Sequence, residues 1–218
     1  TTPGTSMALT IGGSDSCGGA GIQADLKIFA VRGVFGASAI TTITAQNSQT
    51  VKQTHVLEPD LIKQQIGAVS SDMQVSATKT GMLPNADIIE VVAKILKQNN
   101  LFPLVVDPVM MTASGDSLVD DASVAMLIKK LLPLATIVTP NGREAARLLG
   151  RTDPITDLHG AATAAQEICQ RLVAKACVVT GIKRENDEEG EAIDLFFDGQ
   201  ELHEIVSDWR PTPNTHGA

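Results

Sequence analysis

A glycine-rich segment near the start of the chain is followed by a carboxylate. Five glycines fall within residues 12–21, which read GGSDSCGGAG, and Asp25 lies four residues further on. Glycines let a backbone approach a small ligand closely. Two interpretations of Asp25 are open from the sequence: a carboxylate that binds the ligand, or an acid that stabilises the first turn of a helix through the helix dipole. The segment predicts a small-molecule site.

This segment does not match two common nucleotide-binding motifs. A Walker loop needs Gly-Lys followed by Ser or Thr, and the first lysine of the chain is Lys27. Residues 19–24 (GAGIQA) match the dinucleotide fingerprint G-x-G-x-x-A, which also needs an acidic residue about 20 positions later. No acidic residue lies between Asp25 and Glu58, so we do not expect a nicotinamide enzyme.

Small and polar residues also follow the later apolar runs of the chain. In a doubly wound sheet the ligand binds beyond the carboxyl ends of the strands, so these residues are expected along one rim. They form five segments: Ala45-Gln46-Asn47, Thr80-Gly81-Met82, Asp107-Pro108-Val109, Thr139-Pro140-Asn141 and Thr180-Gly181. Residues 214–218 (NTHGA) could begin a helix whose free N–H groups bind an anion.

The elements that carry these residues are predicted from the spacing of apolar side chains. Strands are predicted at residues 7–11, 38–44, 77–80, 104–107, 136–139 and 177–180. Helices are predicted at residues 22–31, 86–98, 122–132, 142–149 and 161–174, and another is predicted to begin at Glu58-Pro59-Asp60. Continuous apolar strands that alternate with helices are typical of a mostly parallel sheet with helices on both faces, an α/β fold.

The segment after residue 180 departs from this alternation. Residues 185–191 are mostly acidic, and Asp198-Gly199 separates two further alternating stretches at residues 193–197 and 202–206. This pattern predicts a hairpin with a solvated acidic tip. No internal repeat or linker divides the chain, so residues 1–218 are predicted to form a single domain.

Composition argues against several classes of protein. The 218 residues carry 17 basic and 25 acidic side chains, with five Phe, one Trp and no Tyr. A nucleic-acid surface needs basic contacts to phosphates and aromatic stacking, so we expect no nucleic-acid partner. We find no apolar run of about 20 residues and no signal-peptide pattern, so we expect no membrane association and a cytoplasmic location. Cys17, Cys169 and Cys177 suit neither a disulfide framework nor a paired metal site, and the last two are predicted core residues.

Taken in chain order, these motifs resemble the hydroxymethylpyrimidine and phosphomethylpyrimidine kinases of thiamine synthesis, members of the ribokinase-like superfamily. The resemblance spans essentially the whole chain. It is carried by residues 8–15 (ALTIGGSD), 18–27 (GGAGIQADLK), 42–47 (TITAQN), 79–83 (KTGML), 106–110 (VDPVM) with 114–116 (SGD), 139–141 (TPN) with Glu144-Ala145, and 214–217 (NTHG).

The resemblance implies a ribokinase-like fold and two successive phosphorylations by ATP, with Mg²⁺ as the metal. The first acts on the hydroxymethyl group of 4-amino-5-hydroxymethyl-2-methylpyrimidine. The second acts on the resulting monophosphate and gives the pyrophosphate used in thiamine synthesis. A homodimer is also implied. The alternatives are a pyridoxal or pyridoxine kinase of the same superfamily and, in a different class, a catalytically silent pyrimidine-binding module.

The resemblance also assigns roles to individual residues. The pyrimidine pocket maps to Gly13, Asp25, Thr44, Gln46, Met82 and Val109. An amide such as that of Gln46 can pair with an aminopyrimidine edge, and Met82 and Val109 offer apolar surface to the ring. The nucleotide region maps to Asp107, Asn141, Glu144, Thr180 and Gly181, with Asp107 and Glu144 as the Mg²⁺ residues. From the residues alone, Glu144 could instead be an exposed helix residue paired with Arg147.

The chain departs from the family pattern at two places. In the family, Asn-Thr-His-Gly leads to an activating cysteine or aspartate and to a helix whose amides form an anion hole. Here Gly217 and Ala218 begin that anion hole, and we expect the activating residue and the C-terminal helices beyond Ala218. Residues 180–183 read TGIK in place of the family's Lys-Gly-Gly-His, which leaves Lys183 or Arg184 as the candidate basic contact to ATP.

Overall fold

The computed structural model describes residues 6–111, 117–183 and 191–208, with Lys183 described by its backbone alone. The strands in these ranges form one sheet: β1 (Met7–Asp15), β2 (Phe35–Gln46), β3 (Val51–Val56), β4 (Ala77–Thr80), β5 (Leu104–Val106), β6 (Ile137–Val138), β7 (Ala176–Lys183), β8 (Glu191–Phe197) and β9 (Leu202–Asp208). The α-helices in these ranges are α1 (Gly21–Val31), α2 (Pro59–Asp72), α3 (Ala86–Gln98), α4 (Asp121–Met126), α5 (Gly142–Leu148) and α6 (Leu158–Leu172).

The central strands of the sheet are parallel. The strand order in the sheet is β3-β2-β1-β4-β5-β6-β7-β8-β9. The six neighbouring strands β2-β1-β4-β5-β6-β7 pair in parallel. At the two edges, β3 is antiparallel to β2, β8 is antiparallel to β7, and β9 is antiparallel to β8. The predicted mostly parallel sheet is therefore confirmed. From β1 the chain passes through α1 to β2, which lies towards one edge of the sheet. From β4 it passes through α3 to β5, which lies towards the opposite edge. Because β1 and β4 are neighbours, a crevice opens at their carboxyl ends.

Side chains of β1 alternate between the two faces of the sheet. Leu9 and Ile11 are fully buried in the core with residues of α2 and α3. Thr10 points the other way, and its hydroxyl donates a hydrogen bond to Asp25 of α1 at 2.6 Å. Helices therefore cover both faces, with α1 on one and α2 and α3 on the other.

The helix α3 begins and ends at its predicted bounds. Asn85 caps its N-terminus by accepting a hydrogen bond from the Ile88 N–H at 3.0 Å. The buried side chains recur at helical spacing: Ile88, Ile89, Val92, Ala93, Ile95 and Leu96. Both the cap and the periodicity are local signals, so the sequence alone locates this helix.

Three elements differ most from the prediction, while the bounds of the others shift by at most three residues. The strand β1 continues through residues 12–15, which the sequence assigned to a loop, because these residues still pair with β2. The sequence pattern does not predict β3, whose six side chains are all exposed. The predicted helix at residues 122–132 is α-helical only to Met126, then becomes a π turn at Leu127–Leu131 and a 3₁₀ turn at Leu132–Leu134.

The strands β8 and β9 form the predicted hairpin around Asp198-Gly199. Asp198 accepts hydrogen bonds from the N–H groups of Gln200 and Glu201, both at 2.7 Å. The acidic tip predicted at residues 185–191 falls mainly on residues 184–190, which lie outside the described residues.

Two of the cysteines belong to the core, as predicted. Cys177 is fully buried, and Cys169 is partly buried against the same apolar cluster. None of the helices in the described ranges is both long and apolar enough to cross a membrane. The extent of a single domain over residues 1–218 stays a prediction.

Candidate active site

A cavity of about 370 Å³ lies at the carboxyl ends of β1, β4 and β5. It occupies the crevice that the diverging connections of β1 and β4 leave open. The edge strand β3 contributes Val51 and Thr54 to the wall, and Met111 and Leu118 line it from the chain beyond β5. The residues assigned to the pyrimidine pocket by resemblance all line this cavity: Gly13, Asp25, Thr44, Gln46, Met82 and Val109.

The carboxylate of Asp15 shapes the glycine-rich segment. It is 3% exposed and accepts hydrogen bonds from the backbone N–H groups of Cys17, Gly19 and Ala20, at distances of 2.8 to 3.0 Å. These bonds turn the chain from the end of β1 towards the start of α1. The side chain thereby replaces the partners that these amides would otherwise find in water.

Glycine is required at the first residue of α1. Gly21 has φ +58°, a value that favours glycine, and a Cβ at this position would collide with the carbonyl oxygen of Gly13. The backbone of α1 and the backbone of β1 can approach this closely because Gly21 has no side chain. Gly13 and Gly21 both line the cavity, so backbone forms this part of its wall.

The side chain of Gln46 presents an amide group at the cavity. Its Oε1 lies 3.1 Å from the hydroxyl of Thr44, which also lies 2.9 Å from the carbonyl oxygen of Ser14. Ser16 Oγ accepts a hydrogen bond from Gln46 N at 2.8 Å and donates one to Gln46 O at 2.7 Å. No described residue accepts a hydrogen bond from Gln46 Nε2, so this group can donate to a ligand.

A cluster of three charged residues lies in the cavity. Lys79 Nζ lies 3.1 Å from both carboxylate oxygens of Asp25 and 3.2 Å from Asp107 Oδ2. Burial alone would lower the pKa of Lys79, but attraction to Asp107 and Asp25 outweighs it and raises the pKa above its ordinary value. Burial raises the pKa of Asp107, and the attraction of Lys79 opposes that rise.

The position of Asp25 excludes one of its two interpretations, whereas contact of Asp25 with a ligand stays a prediction. Asp25 is the fifth residue of α1, the first turn of the helix holds no acidic residue, and the side chain lines the cavity. The helix-dipole interpretation is therefore wrong. Our sequence reasoning does not identify Lys79 as a site residue, although it lies in the KTGML motif. The available signal is a lysine within the short strand β4, where a partly buried ammonium needs acidic partners.

The carboxylate of Glu144 is buried at the start of α5. Asn141 and Glu144 form a capping box, in which Asn141 Oδ1 accepts from Glu144 N at 3.0 Å and Glu144 Oε2 accepts from Asn141 N at 3.0 Å. Glu144 Oε1 accepts a hydrogen bond from Met110 N at 3.3 Å. Burial raises the pKa of Glu144 to about 7.

The interpretation of Glu144 as an exposed partner of Arg147 is wrong. Glu144 is only 4% exposed. The guanidinium of Arg147 instead donates to Ser117 Oγ and Val119 O, both at 3.0 Å, and to Asp121 Oδ1 at 3.1 Å. Arg147 therefore ties α5 to the segment that leads into α4.

The other residues assigned to the nucleotide lie beside Asn141, outside the lining of the cavity. Thr180 forms a bridge with Asn141, and its N–H donates to Pro140 O at 2.9 Å. Gly181 has φ +69° at an irregularity in the pairing of β7 and β8, and its N–H donates to Asp194 Oδ1 at 2.9 Å. Four further assigned groups lie outside the described residues: Gly217, Ala218, Arg184 and the side chain of Lys183.

The donor set can be tested against Mg²⁺. Among the described residues, no three His, Cys, Asp or Glu side chains form a metal-binding group. Mg²⁺ bound with a nucleotide commonly takes only one or two carboxylates, with waters and phosphates as the other ligands. Asp107 offers a carboxylate to the cavity, whereas both oxygens of Glu144 already accept backbone hydrogen bonds. Asp107 and Glu144 are the carboxylates that would hold such an ion, which would supply positive charge beside the phosphates.

Residues 15–218 match the family model of phosphomethylpyrimidine kinase. The hydroxymethylpyrimidine/phosphomethylpyrimidine kinase of Bacillus subtilis (strain 168) is 43% identical over 210 residues, which cover 96% of this chain and 76% of that protein. A chloroplastic thiamine biosynthetic bifunctional enzyme of Arabidopsis thaliana is 42% identical over 213 residues, which cover 97% of this chain and 40% of the enzyme. The chain thus spans less than half of the length of this bifunctional relative.

Solved structures show the same fold. The crystal structure of phosphomethylpyrimidine kinase from Clostridium difficile 630 has a TM-score of 0.82 and 39% identity, and the match covers 94% of this chain and 85% of that chain. Pyridoxine kinase of Bacillus subtilis (strain 168) is also similar, at 40% identity over 97% of this chain and 77% of that protein. The predictions of a ribokinase-like fold and of a family of phosphotransferases are confirmed. The chain belongs to the phosphomethylpyrimidine kinase family.

Proposed function

We propose that the protein transfers the γ-phosphoryl group of ATP to 4-amino-5-hydroxymethyl-2-methylpyrimidine and then to the resulting monophosphate. The observation that carries this proposal is the cavity in which the six residues assigned to the pyrimidine pocket come together in a member of this kinase family. They come from five separate segments of the chain. Their convergence supports one binding pocket of small-molecule size.

The chemistry of the cavity suits an aminopyrimidine. A ring nitrogen accepts a hydrogen bond, and Gln46 Nε2 is a donor that no described residue uses. The carboxylate of Asp25 accepts hydrogen bonds and is suited to an amino or hydroxyl donor of the ligand. Met82 and Val109 add adaptable apolar surface for the ring.

The transfer itself needs positioning and charge stabilisation more than covalent participation of the protein. The alcohol oxygen attacks the γ-phosphorus, the bond to ADP breaks, and the alcohol proton passes to a base. Asp107 and Glu144 are the residues that would hold Mg²⁺, which would neutralise charge on the phosphates. Asn141, Thr180 and Gly181 are the proposed nucleotide contacts, and the amides of Gly217 and Ala218 are the proposed start of the anion hole.

Two further statements stay proposals from the family resemblance. A homodimer is the expected assembly, and the cytoplasm is the expected location. Size-exclusion chromatography with light scattering tests the first, and cell fractionation tests the second.

A product assay tests the proposed activity. The purified protein is incubated with ATP, MgCl₂ and the pyrimidine alcohol, and products are followed by mass spectrometry and ³¹P NMR. The monophosphate should appear first and the diphosphate second, with one ADP released per transfer. Gln46→Glu removes the amide donor and should lower kcat/KM for the alcohol by about tenfold or more. Gln98→Glu, at the exposed C-terminal end of α3, is the matched control and should change little.

The same assay separates the alternatives. Pyridoxal and pyridoxine are supplied as competing alcohols at limiting ATP, since a pyridoxine kinase is among the relatives. A higher kcat/KM for pyridoxal than for the pyrimidine would contradict the proposed substrate. Tight binding of the pyrimidine without release of ADP would instead indicate a silent binding module.

A further inference from the structure

A single ammonium group lies among the carboxylates of the cavity. Of the cavity-lining side chains that the structure describes, Lys79 is the only positively charged one. It contacts Asp25 at 3.1 Å and Asp107 at 3.2 Å, so the three-residue cluster has a net charge of −1 when both acids are ionised. The carboxylate of Asp15, also in the lining, is occupied by three backbone N–H groups.

The two substrates of the proposed reaction differ chiefly in charge. The alcohol is neutral, whereas a phosphate monoester carries about −1.5 to −2 near pH 7. A cavity whose only charged side chains were carboxylates would repel the second substrate but not the first. We propose that Lys79 determines specificity for the phosphorylated substrate, because its ammonium group binds the monophosphate during the second transfer. This inference depends on the proposed function.

The surroundings of Lys79 allow its ammonium to serve a ligand. A Cβ built on Gly81 would lie 3.3 Å from Lys79 Nζ, so the ammonium lies beside the backbone that follows β4, where Gly81 and Met82 line the cavity. Asp25 has a second partner, because Asp25 Oδ2 also accepts a hydrogen bond from the Thr10 hydroxyl at 2.6 Å. Asp25 therefore remains hydrogen-bonded when the ammonium also contacts a phosphate.

The two transfers differ in whether the attacking group must lose a proton. A phosphate oxygen of the monophosphate attacks the γ-phosphorus of ATP. A new P–O bond forms while the bond to ADP breaks, and the electron pair leaves with ADP. The nucleophile is already an anion, so no proton must be removed, whereas the alcohol must lose its proton in the first transfer. In the second transfer Lys79 binds charge and transfers no proton.

Substitution of Lys79 tests this inference. Lys79→Met removes the charge with little change in length, Lys79→Arg keeps it, and Lys94→Met removes a charge from an exposed position of α3 as the matched control. Calorimetry measures the binding of each substrate, and each transfer is assayed separately with the alcohol or the monophosphate as starting substrate. Lys79→Met should weaken the binding of the monophosphate at least about tenfold more than the binding of the alcohol. Lys79→Arg should retain most of the preference, and Lys94→Met should change neither.

If Lys79→Met lost equal affinity and activity towards the two substrates, the inference would be overturned and Lys79 would have a purely structural role. Thermal unfolding checks that each variant is folded. If Lys79→Met does not fold, the double variant Asp25→Asn with Lys79→Met lacks the same ammonium but leaves one fewer uncompensated carboxylate, and the same selective loss is expected. Failure of the wild-type protein to phosphorylate either substrate would contradict the proposed function. Wild-type activity on both, with equal losses in the variants, would contradict the role of Lys79 alone.

Discussion

Glu144 and Met110 connect the N-terminus of α5 to the chain that follows β5. The contact is a hydrogen bond of 3.3 Å from Met110 N to Glu144 Oε1. Met110 is buried in the core, and the residues on either side of it, Val109 and Met111, line the cavity. A residue assigned to the nucleotide therefore also fixes the backbone of the cavity wall.

The stability of the protein should depend on pH through Glu144. Its pKa is about 7 in the folded protein against 4.5 ordinarily, chiefly because the carboxyl is buried. A raised pKa means that the folded state binds the proton more tightly, so this contribution is fully present below about pH 4.5 and is lost as the pH rises through about 7. The lost contribution is about 3 kcal/mol. Urea unfolding from pH 4.5 to 8 with EDTA, compared with Glu144→Gln, measures it.

Glu144→Gln should not show this fall, because an amide does not titrate. The unfolding free energy of the wild type minus that of Glu144→Gln should therefore fall as the pH rises from 4.5 to 8. Parallel pH profiles for the two proteins would contradict the prediction.

Removal of Arg147 should impair the substrate cavity without direct contact to a ligand. Its guanidinium holds Ser117 and Val119, and Leu118 between them lines the cavity. Because a displacement of about 1 Å can cost roughly 100-fold in rate, Arg147→Ala should lower kcat/KM for the pyrimidine by up to about that factor. Steady-state kinetics with each substrate varied in turn measure the effect.

Arg171→Ala is the matched control for Arg147→Ala. Arg171 forms an exposed ion pair with Glu167 along α6, and such pairs contribute little. The kcat/KM of Arg171→Ala should therefore stay near the wild-type value. A similar loss in both variants would show that the effect of Arg147→Ala is not specific.

Replacement of Gly21 should be far more damaging than replacement of another glycine with positive φ. Gly33 has φ +71° and no atom within 4 Å of a built Cβ, so Gly33→Ala should cost only the backbone strain, about 1–2 kcal/mol. Gly21→Ala adds the collision with Gly13 O and should cost at least about 2 kcal/mol more. Urea unfolding measures both, and equal destabilisation would show that the close approach of β1 and α1 is easily relaxed.

Asp15→Asn should loosen the glycine-rich segment and weaken binding of the pyrimidine. An amide offers one acceptor oxygen in place of two, so the N–H groups of Cys17, Gly19 and Ala20 cannot all keep their partners. Loss of charge-assisted hydrogen bonds of this kind should weaken binding by about tenfold. Calorimetric titration with the pyrimidine alcohol gives the dissociation constant.

Asp198→Asn provides the same chemical change outside the cavity. Asp198 also accepts two backbone N–H groups, in the turn between β8 and β9. The affinity of Asp198→Asn for the pyrimidine should match that of the wild-type protein. An unchanged affinity in Asp15→Asn would show that the carboxylate does not shape the binding site.

The sequence predicts the parallel core of the sheet because apolar runs and helical periodicity are local signals. It does not predict β3, since the strand is an exposed edge with little apolar character and is defined by its pairing with β2. Residues 12–15 extend β1 despite two glycines, because β2 pairs with them. In both cases the neighbouring strand determines the structure, and that neighbour is not visible in the local sequence.

Within the candidate site, motif resemblance identifies residues one by one but not their contacts. Lys79 and Asp25 are 54 positions apart, so nothing in the spacing indicates their ion pair. Glu144 likewise accepts a hydrogen bond from Met110 N, which lies 34 positions earlier. Electrostatic partners across the fold are consequences of topology, and they become apparent only with coordinates.

The cavity and the core share few positions. Of the described cavity-lining residues, Met111 and Leu118 pack as partly buried side chains against the apolar core, and the others lie outside it. Substitutions at those other positions can therefore change the contacts offered to a ligand without opening voids in the interior. This separation gives a physical reason why a phosphomethylpyrimidine kinase and a pyridoxine kinase can both be similar to this chain: ligand contacts and core packing depend largely on different residues.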